Sequence, residues 1–448
     1  MARAVVLPGP AIDALEAARR LAGLPGRFLL HSASDADGVG RWSFVGAAPA
    51  ETLRIAHAPA GGGLAALDAA LARAEARAGS DDDAAAPRPL LVGFLSYDLG
   101  RALEPHAAAG ARGDPADVPD LCFAAYDAIW RADAASGRAE VIGTPAAAAA
   151  LHARLLQPAA PAPRPRVGDL IADETDEHHA AAVRRVLEYI RAGDVYQVNL
   201  ARRLRAPLTP ADADALAIYE QVARVAPAPY GALIEADDVA LCSDSPELFL
   251  RRAPGATRVE TRPIKGTRAR GGDAAADAAL IAELRADAKE LAEHLMIVDL
   301  LRNDLGRVAR IGSVRVDDYA RVVSLPTVHH LISTVSGEID ARPAALLAAL
   351  FPGGSITGAP KIRAMQIIDE LEPALRGAYT GAFGYFGTRG ALDLAIAIRT
   401  VVVQRGAAGA ELHLHVGGGI VADSDPAREL EETEEKAAAW RHALAGLR

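Results

Sequence analysis

The sequence predicts an α+β protein whose strands pair into antiparallel sheets. Strand-prone runs follow one another as hairpin-like pairs, for example YGALIEADDVALCSD from residue 230. Helical runs stand in blocks of their own, such as TDEHHAAAVRRVLEYIRAG from residue 175. The strict alternation of strand and helix that is typical of parallel sheets is absent, so antiparallel pairing is favoured.

The first part of the chain contains short strand candidates separated by Gly, Pro and Ala. They are GRFLLHSAS, TLRIA, LLVGFLSYDL and LCFAAYDAIW. A Pro-rich stretch, LLQPAAPAPRPRVGD, follows them and predicts an extended surface connector. We therefore divide the sequence into an N-terminal mixed α/β region (residues 1–156), a connector (residues 157–168) and a C-terminal region (residues 169–448).

The C-terminal region begins with a helix, for which Thr175 is the expected N-cap and Gly193 the expected end. Strand-like segments follow, and then one long helix from about Ala274 to Leu305. YTGAFGYFG, LDLAIAIRTVVVQ and ELHLHVGGGIV read as further strands, and an acidic helix closes the chain. Blocks of this kind support the α+β class.

Composition excludes several functional classes. The formal net charge of the 448 residues is -10, which argues against nucleic acid or an anionic membrane as the main partner. Two cysteines, Cys122 and Cys242, are too few for a disulfide framework or a structural zinc site. No stretch has the length of a signal-peptide core or a membrane span. We expect a soluble, unprocessed, cytoplasmic protein.

Lysine is rare in this chain. It occurs only at positions 265, 289, 361 and 436, whereas Lys and Arg together number 48. Because arginine supplies positive charge everywhere else, the remaining lysines indicate positions where the shape or the titratable proton of a primary amine is needed.

Two helical segments each carry a pair of glutamates three residues apart. The pairs are Glu290 with Glu293 and Glu429 with Glu432. This spacing places both carboxylates of a pair on one helix face, where like charges repel unless a cation lies between them. A hard cation such as Mg²⁺ between the two helices accounts for the pattern. Taken alone, the pattern favours two solvated acidic faces, because Glu is common on exposed helices.

Three glycine-containing stretches are candidate anion sites. FPGGSITGAPK leads into a helix, and HVGGGIV stands directly after a strand; free backbone N–H groups at such places suit carboxylate or phosphate oxygens. GTRAR, at residues 266–270, is expected to be a polar loop. None of the three matches a nucleotide-binding motif.

Polar residues in apolar runs form another group. His329 and His330 lie in a strand-prone run, where alternation sends them to opposite faces. Tyr385 and Arg399 also lie in strand-like runs, and a buried arginine requires an anionic partner from the protein or from a substrate.

Eight segments resemble segments of the chorismate-utilising enzymes. Within that family, the resemblance is to aminodeoxychorismate synthase component I. In chain order they are GDVYQVNLARR, SPELFL, TRPIKGTRAR, ELAEHLMIVDLLRNDLGRV, TVHHLISTVSGEI, LFPGGSITGAPKIRAMQIIDELE, LAIAIRT and HVGGGIVADSDP with ETEEKA. The resemblance covers about residues 175–445. It implies two facing antiparallel β-sheets flanked by helices, with chorismate and Mg²⁺ in a central cleft of the C-terminal region.

The resemblance also implies roles for individual residues. The implied catalytic residues are Lys265, Glu247 and His330; the implied substrate-binding residues are Thr267, Tyr385, Arg399, Gly418, Gly419 and Lys436; the implied Mg²⁺ ligands are Glu290, Glu293, Glu429 and Glu432. Ser32 and Pro229 match places where relatives bind tryptophan. Lys265 is expected either to attack chorismate as a nucleophile or to hold a substrate oxygen electrostatically.

The implied reaction is amination of chorismate at C4 to 4-amino-4-deoxychorismate, which leads to p-aminobenzoate and folate. The chain carries no glutaminase-like Cys motif, so we expect ammonia from a separate glutamine amidotransferase subunit. Three alternatives stay open: anthranilate synthase component I, in which alanine typically stands at the position of Lys265, isochorismate or salicylate synthase, and a non-catalytic tryptophan-binding regulatory paralogue.

Overall fold

The computed structural model describes residues 4–34, 39–79, 86–107, 118–325 and 328–448. In these ranges two antiparallel sheets face each other, and helices pack on the outer side of each sheet. This arrangement confirms the predicted α+β class with two facing antiparallel sheets.

The helices of the described ranges are α1 (Ala14–Arg20), α2 (Leu64–Ala78), α3 (Leu99–Leu103), α4 (Pro145–Leu155), α5 (Asp176–Ala192), α6 (Ala215–Val225), α7 (Ala274–Ala286), α8 (Ala288–Gly306), α9 (Pro343–Leu350), α10 (Lys361–Leu371) and α11 (Pro426–Ala445). Short 3₁₀ turns occur at Pro105–Ala107, Gly354–Ile356 and Thr388–Gly390.

The strands of the same ranges are β1 (Val5–Pro8), β2 (Phe28–His31), β3 (Trp42–Gly46), β4 (Glu51–Ile55), β5 (Pro89–Leu95), β6 (Leu121–Ala125), β7 (Ala128–Asp133), β8 (Arg138–Gly143), β9 (Arg166–Val167), β10 (Ile171–Ala172), β11 (Gln197–Thr209), β12 (Tyr230–Ala236), β13 (Val239–Ser245), β14 (Leu248–Arg252), β15 (Arg258–Arg262), β16 (Ile264–Ala269), β17 (Arg315–Ser324), β18 (Val328–Glu338), β19 (Gly358–Ala359), β20 (Ala382–Gly387), β21 (Leu392–Ile396), β22 (Thr400–Gly406) and β23 (Gly409–Ile420).

Both sheets take strands from both sides of the Pro-rich connector. The first sheet has the order β1-β8-β7-β3-β2-β12-β13-β22-β23-β11-β10, and β9 and β19 also pair with β11. The second sheet has the order β16-β18-β15-β14-β21-β20-β5-β6-β4, and β17 also pairs with β18. The N-terminal region therefore completes the two sheets and does not form a sheet of its own.

Three apolar clusters hold the layers together. Trp130 and Trp440 lie between the first sheet and its helices, and Phe123 and Phe386 lie between the second sheet and its helices. A third cluster, which includes Phe94 of β5, fills the space between the sheets. Burial of a large apolar side chain contributes roughly 1.5–3 kcal/mol. Because the third cluster takes side chains from both sheets, the two sheets are expected to unfold together.

The predicted start and end of α5 are confirmed. The Thr175 hydroxyl accepts a hydrogen bond from the His178 backbone N–H at 3.2 Å, as an N-cap residue does. Gly193 ends the helix with φ of 84°, a left-handed conformation that glycine adopts without steric cost.

The prediction of one helix from Ala274 to Leu305 is wrong, because the chain breaks at Asp287 between α7 and α8. The Asp287 carboxylate accepts hydrogen bonds from the backbone N–H groups of Lys289 and Glu290, both at 3.1 Å. Asp287 therefore caps a second helix, α8.

Two further local predictions are corrected and one is confirmed. GTRAR belongs to β16 as far as Ala269 and is not a loop. ELHLHVGGGIV forms a strand, as predicted, and its glycines lie inside β23, which continues to Ile420. LDLAIAIRTVVVQ forms two strands, β21 and β22, and Arg399 lies between them with φ of 50°. None of the helices in the described ranges is long and apolar enough to cross a membrane.

Candidate active site

The four glutamates of α8 and α11 lie near two strands, β16 and the C-terminal end of β23. A Cβ atom at Gly418 would lie 3.1 Å from Glu429 Oε2 and 3.2 Å from Glu432 Oε1, so the carboxylates approach the strand where it has no side chain. A Cβ atom at Gly266 of β16 would lie 3.3 Å from Glu290 Oε2. The two glutamate pairs thus face the strands that carry Lys265 and the glycines.

The carboxylates influence one another across the two helices. Burial raises the pKa of Glu293, and the nearby charges of Glu290 and Glu429 raise it further. Burial also raises the pKa of Glu429, with an added effect of Glu432. The charges of Lys265, Lys289 and Lys436 oppose these effects, and Arg268 pairs with Glu290 at 3.5 Å.

The donor chemistry of this cluster suits a hard cation. All of its candidate ligands are carboxylate oxygens, and Glu429 Oε2 is buried without a hydrogen-bond partner among the residues described. Within those residues, no three Asp, Glu, His or Cys side chains approach closely enough to form a complete metal-binding group. Oxygens of a substrate or of water would have to complete the coordination.

Lys265 lies on β16 beside these carboxylates. Gly266, with φ of 67°, forms a bulge, so Lys265 pairs with Leu331 and Thr267 with His330. Burial lowers the pKa of the Lys265 amine, and the carboxylates of Glu293 and Glu247 act in the opposite direction. The amine makes no hydrogen bond or ion pair with a described residue.

Glu247 follows β13 and points toward the same space. The residue is 5% exposed, and its Oε1 accepts a hydrogen bond from Ser355 Oγ at 2.6 Å. Burial raises its pKa to about 7, while Ser355 and the charge of Lys265 lower it. A carboxyl group with this pKa can both donate and accept a proton near neutral pH.

Arg399 supplies an uncommitted cation. Its guanidinium makes no hydrogen bond or ion pair with a residue in the described ranges, although the carboxylate of Asp244 lies near enough to interact electrostatically. Asp244 itself accepts a hydrogen bond from Ala228 N at 3.1 Å, and burial raises its pKa to about 7. Arg399 is therefore available to an anionic ligand.

The two neighbouring histidines have different surroundings. His330 Nδ1 lies 2.9 Å from Thr267 Oγ1, and its Nε2 is buried without a partner among the described residues. Burial lowers the pKa of His330 to about 4, with an added effect of the Arg399 charge, so the ring is neutral at pH 7. His329 instead lies 3.0 Å from Asp277 and 2.8 Å from Ser324.

Lys436 of α11 lies between Glu432 and β23. Its Nζ donates to Glu432 Oε1 at 2.6 Å and to the Gly417 carbonyl oxygen at 2.7 Å. This amine is half exposed and already holds a carboxylate, unlike that of Lys265.

Tyr385 does not lie with the glutamates. It lines a separate cavity of about 250 Å³ between the sheets, together with Ser32 and Pro229. Its ring packs edge-on against Phe44 at a centroid distance of 5.4 Å. The structure thus brings together the two residues predicted to bind tryptophan, and it adds Tyr385 to them.

A different tyrosine, Tyr379, lies beside the glutamate cluster. The Asn199 side chain lies near enough to its hydroxyl to lower its pKa, and its ring stacks on His415 at a centroid distance of 5.3 Å. Burial raises its pKa to about 12, and the charge of Glu432 is near enough to contribute. The sequence alone does not single out this residue, because two tyrosines occur six positions apart and either one suits a strand.

Gln197 is a second residue that the sequence analysis missed. A Cβ atom at Gly419 would lie 2.3 Å from Gln197 Nε2 and 3.6 Å from Lys265 Nζ, so the amide and the amine approach the same point. Both polar atoms of the amide are buried without a partner among the described residues. Its signal in the sequence was weak, because β11 also contains Asn199 and three arginines.

Comparison with known proteins identifies the family. The model of the chorismate binding enzyme family matches residues 27–442. The chain belongs to this family. Because the match spans most of the chain, the N-terminal strands belong to the chorismate-binding fold as well.

The relatives that match this chain include enzymes of two different names. The chain is 42% identical over 431 residues to anthranilate synthase component 1 1 of Haloarcula marismortui, covering 90% of this chain and 85% of that protein. It is also 42% identical over 359 residues to aminodeoxychorismate synthase component 1 of Klebsiella aerogenes, covering 79% and 76%. The structure of anthranilate synthase component I from Streptococcus pneumoniae superposes with a TM-score of 0.73 at 27% identity, covering 98% and 92%.

Proposed function

We propose that this chorismate-binding enzyme is an aminodeoxychorismate synthase component I, which replaces the C4 hydroxyl of chorismate by an amino group in a Mg²⁺-dependent reaction. The observation that carries the proposal is the position of the Lys265 amine. It lies between Glu247 and the glutamate cluster, and burial favours its neutral, nucleophilic form.

In the proposed first step, the neutral Lys265 amine attacks C2 of chorismate. The two ring double bonds shift, the bond between C4 and its oxygen breaks, and Glu247 donates the proton that lets the oxygen leave as water. Ammonia then attacks C4, the double bonds shift back, and the bond between C2 and the lysine nitrogen breaks. The attacking nitrogen returns one proton to Glu247, so both residues regain their starting states.

The substrate would lie between the cations and the glutamates. Arg399 is free to pair with a carboxylate of chorismate, and Thr267 and the neutral His330 lie next to it. Mg²⁺ held by Glu290, Glu293, Glu429 and Glu432 would supply countercharge for the ring carboxylate. Ammonia would come from a glutamine amidotransferase subunit, as the chain's resemblance implies.

Anthranilate synthase component I is the second candidate, because relatives of that name match this chain as well as the aminodeoxychorismate synthases do. The two reactions share the scaffold and the cation site. Lys265 favours amination at C4, since an amine held at C2 blocks that carbon to ammonia and directs the second attack to C4.

The decisive experiment separates the products formed from chorismate, ammonium and Mg²⁺ by chromatography. We expect 4-amino-4-deoxychorismate from the wild type, and a loss of at least about a hundredfold in Lys265→Ala and in Lys265→Arg, because a guanidinium keeps its charge but cannot attack. Lys289→Arg, at an exposed position of α8, is the matched control and should keep full activity.

Anthranilate as the wild-type product would replace the proposal by its alternative. High aminodeoxychorismate formation by Lys265→Arg would leave the product assignment standing and exclude the lysine nucleophile. No consumption of chorismate by the wild type would favour a non-catalytic paralogue.

A further inference from the structure

Arg376 lies buried behind the candidate active site in the turn between α10 and β20. It is 2% exposed, and its guanidinium pairs with Glu372 through two hydrogen bonds, Nε to Oε2 at 2.9 Å and Nη2 to Oε1 at 2.6 Å. Its Cζ atom also lies 4.5 Å from the ring centroid of Tyr97. A full charge in such a position is retained only where its hydrogen bonds are satisfied.

Three further hydrogen bonds connect Arg376 to separate segments of the chain. Nη2 donates to the Asn199 carbonyl oxygen of β11 at 2.6 Å. Nη1 donates to the Ile356 carbonyl oxygen at 3.1 Å and to Thr380 Oγ1 at 3.1 Å. The planar guanidinium thus donates to β11, to a 3₁₀ turn and to the segment that precedes β20.

Each of these segments carries a group of the candidate active site. Ser355, which donates to Glu247, directly precedes Ile356. Tyr379, which lies near Glu432, directly precedes Thr380. Gln197 stands two residues before Asn199 on the same strand.

Glu372 strengthens the link to β11. Its Oε1 accepts a hydrogen bond from the Ala201 backbone N–H at 2.8 Å as well as from Arg376. The ion pair therefore makes hydrogen bonds to β11 at two positions, Asn199 and Ala201. Because the ion pair itself is buried, neither partner can move without leaving a charge unpaired.

We propose that Arg376 is a positioning residue for chorismate turnover, which holds Ser355, Tyr379 and the start of β11 in the arrangement that the reaction needs. Arg376 makes no hydrogen bond to the side chains of Ser355, Tyr379 or Gln197. It acts through the backbone next to these residues and through the Tyr379 ring, whose centroid lies 5.8 Å from its Cζ atom. The inference rests on chorismate turnover by this family and not on the carbon that is aminated.

The test compares Arg376→Lys with a matched control, Arg27→Lys. Lysine keeps the charge but cannot form the same set of hydrogen bonds. Arg27 is also 2% exposed and pairs with Glu235 at 2.9 Å and with Asp214, on elements that carry no candidate active-site residue. Chorismate consumption with ammonium, thermal unfolding and the pH dependence of kcat are measured for both, at a constant concentration of free ammonia.

Both variants should unfold at lower temperature than the wild type. Only Arg376→Lys should lose at least tenfold in kcat, with KM for chorismate within threefold. Its pH profile should also change: once Ser355 is displaced, the hydrogen bond that lowers the pKa of Glu247 is weakened, and the limb belonging to Glu247 should move to higher pH.

A kcat of Arg376→Lys within twofold of the wild type would overturn the proposal, and so would an equal loss in Arg27→Lys. Thr380→Val covers the case in which Arg376→Lys does not fold, because it removes only one acceptor of Arg376. It should lose at least threefold in kcat, and an unchanged kcat would overturn the proposal. Product identity is recorded in the same assay, so a wrong assignment of the aminated carbon is seen separately.

Discussion

Replacing Glu247 by glutamine should stabilise the protein at alkaline pH while removing its activity. The pKa of this buried carboxyl group is about 7, against its ordinary value of 4.5. A raised carboxyl pKa means that the folded state favours the neutral form, so stability is highest at low pH and falls as pH rises from 4.5 to 7. The difference of 2.5 between those two values corresponds to about 3 kcal/mol once both states are ionised.

Glutamine resembles the protonated carboxyl group in shape and carries no charge at any pH. The gain in the free energy of unfolding of Glu247→Gln over the wild type should therefore be about 1 kcal/mol at pH 5.5 and about 3 kcal/mol at pH 8.5. Urea unfolding at the two pH values measures this widening of about 2 kcal/mol.

Glu177→Gln, at an exposed position of α5, is the control, and its effect should not widen with pH. A Glu247→Gln variant that gains nothing between pH 5.5 and 8.5 would show that Glu247 is ionised at little cost in the folded protein. The assignment of Glu247 as proton donor would then lose its physical basis.

Three other predictions concern ligands. Mg²⁺ at 100 times its Kd should raise the free energy of unfolding of the wild type by about 2.7 kcal/mol, and Glu429→Gln should reduce this gain; an equal response in both would contradict the metal site. The chain alone should use ammonium but not glutamine, and glutamine should become a substrate once an amidotransferase subunit is added; turnover with glutamine by the single chain would exclude that division of labour. Tryptophan should bind in the cavity lined by Ser32 and Pro229, and Ser32→Phe should abolish the calorimetric signal without changing kcat; the absence of a signal in the wild type would end this assignment.

Local signals in the sequence predicted both ends of α5 but not the break between α7 and α8. Thr175 and Gly193 marked both ends of α5 correctly, since capping is decided by a few neighbouring residues. The break at Asp287 was missed because alanine and other helix formers stand on both sides of it. Its signal was present: Asp287 followed three residues later by Glu290 is the usual pattern of a helix start.

Contacts between distant segments could not be derived from periodicity. Tyr379 and Tyr385 both lie near β20, and the pattern of apolar residues does not say which of them approaches the glutamates and which lines the cavity. That choice depends on how the second sheet lies against the first. The contribution of N-terminal strands to both sheets is likewise a property of the whole chain.

The glycines of the site provide space, in addition to the backbone N–H groups that the sequence indicated. Gly418 and Gly419 lie in the part of β23 that pairs with β11 and that extends beyond Leu414, where the pairing with β22 ends. What glycine provides there is space: a Cβ atom at Gly418 would meet two carboxylates, and one at Gly419 would lie 2.3 Å from the Gln197 amide. The carboxylates of α11 and the amine of Lys265 can therefore share one small space only because β23 carries no side chains at that point.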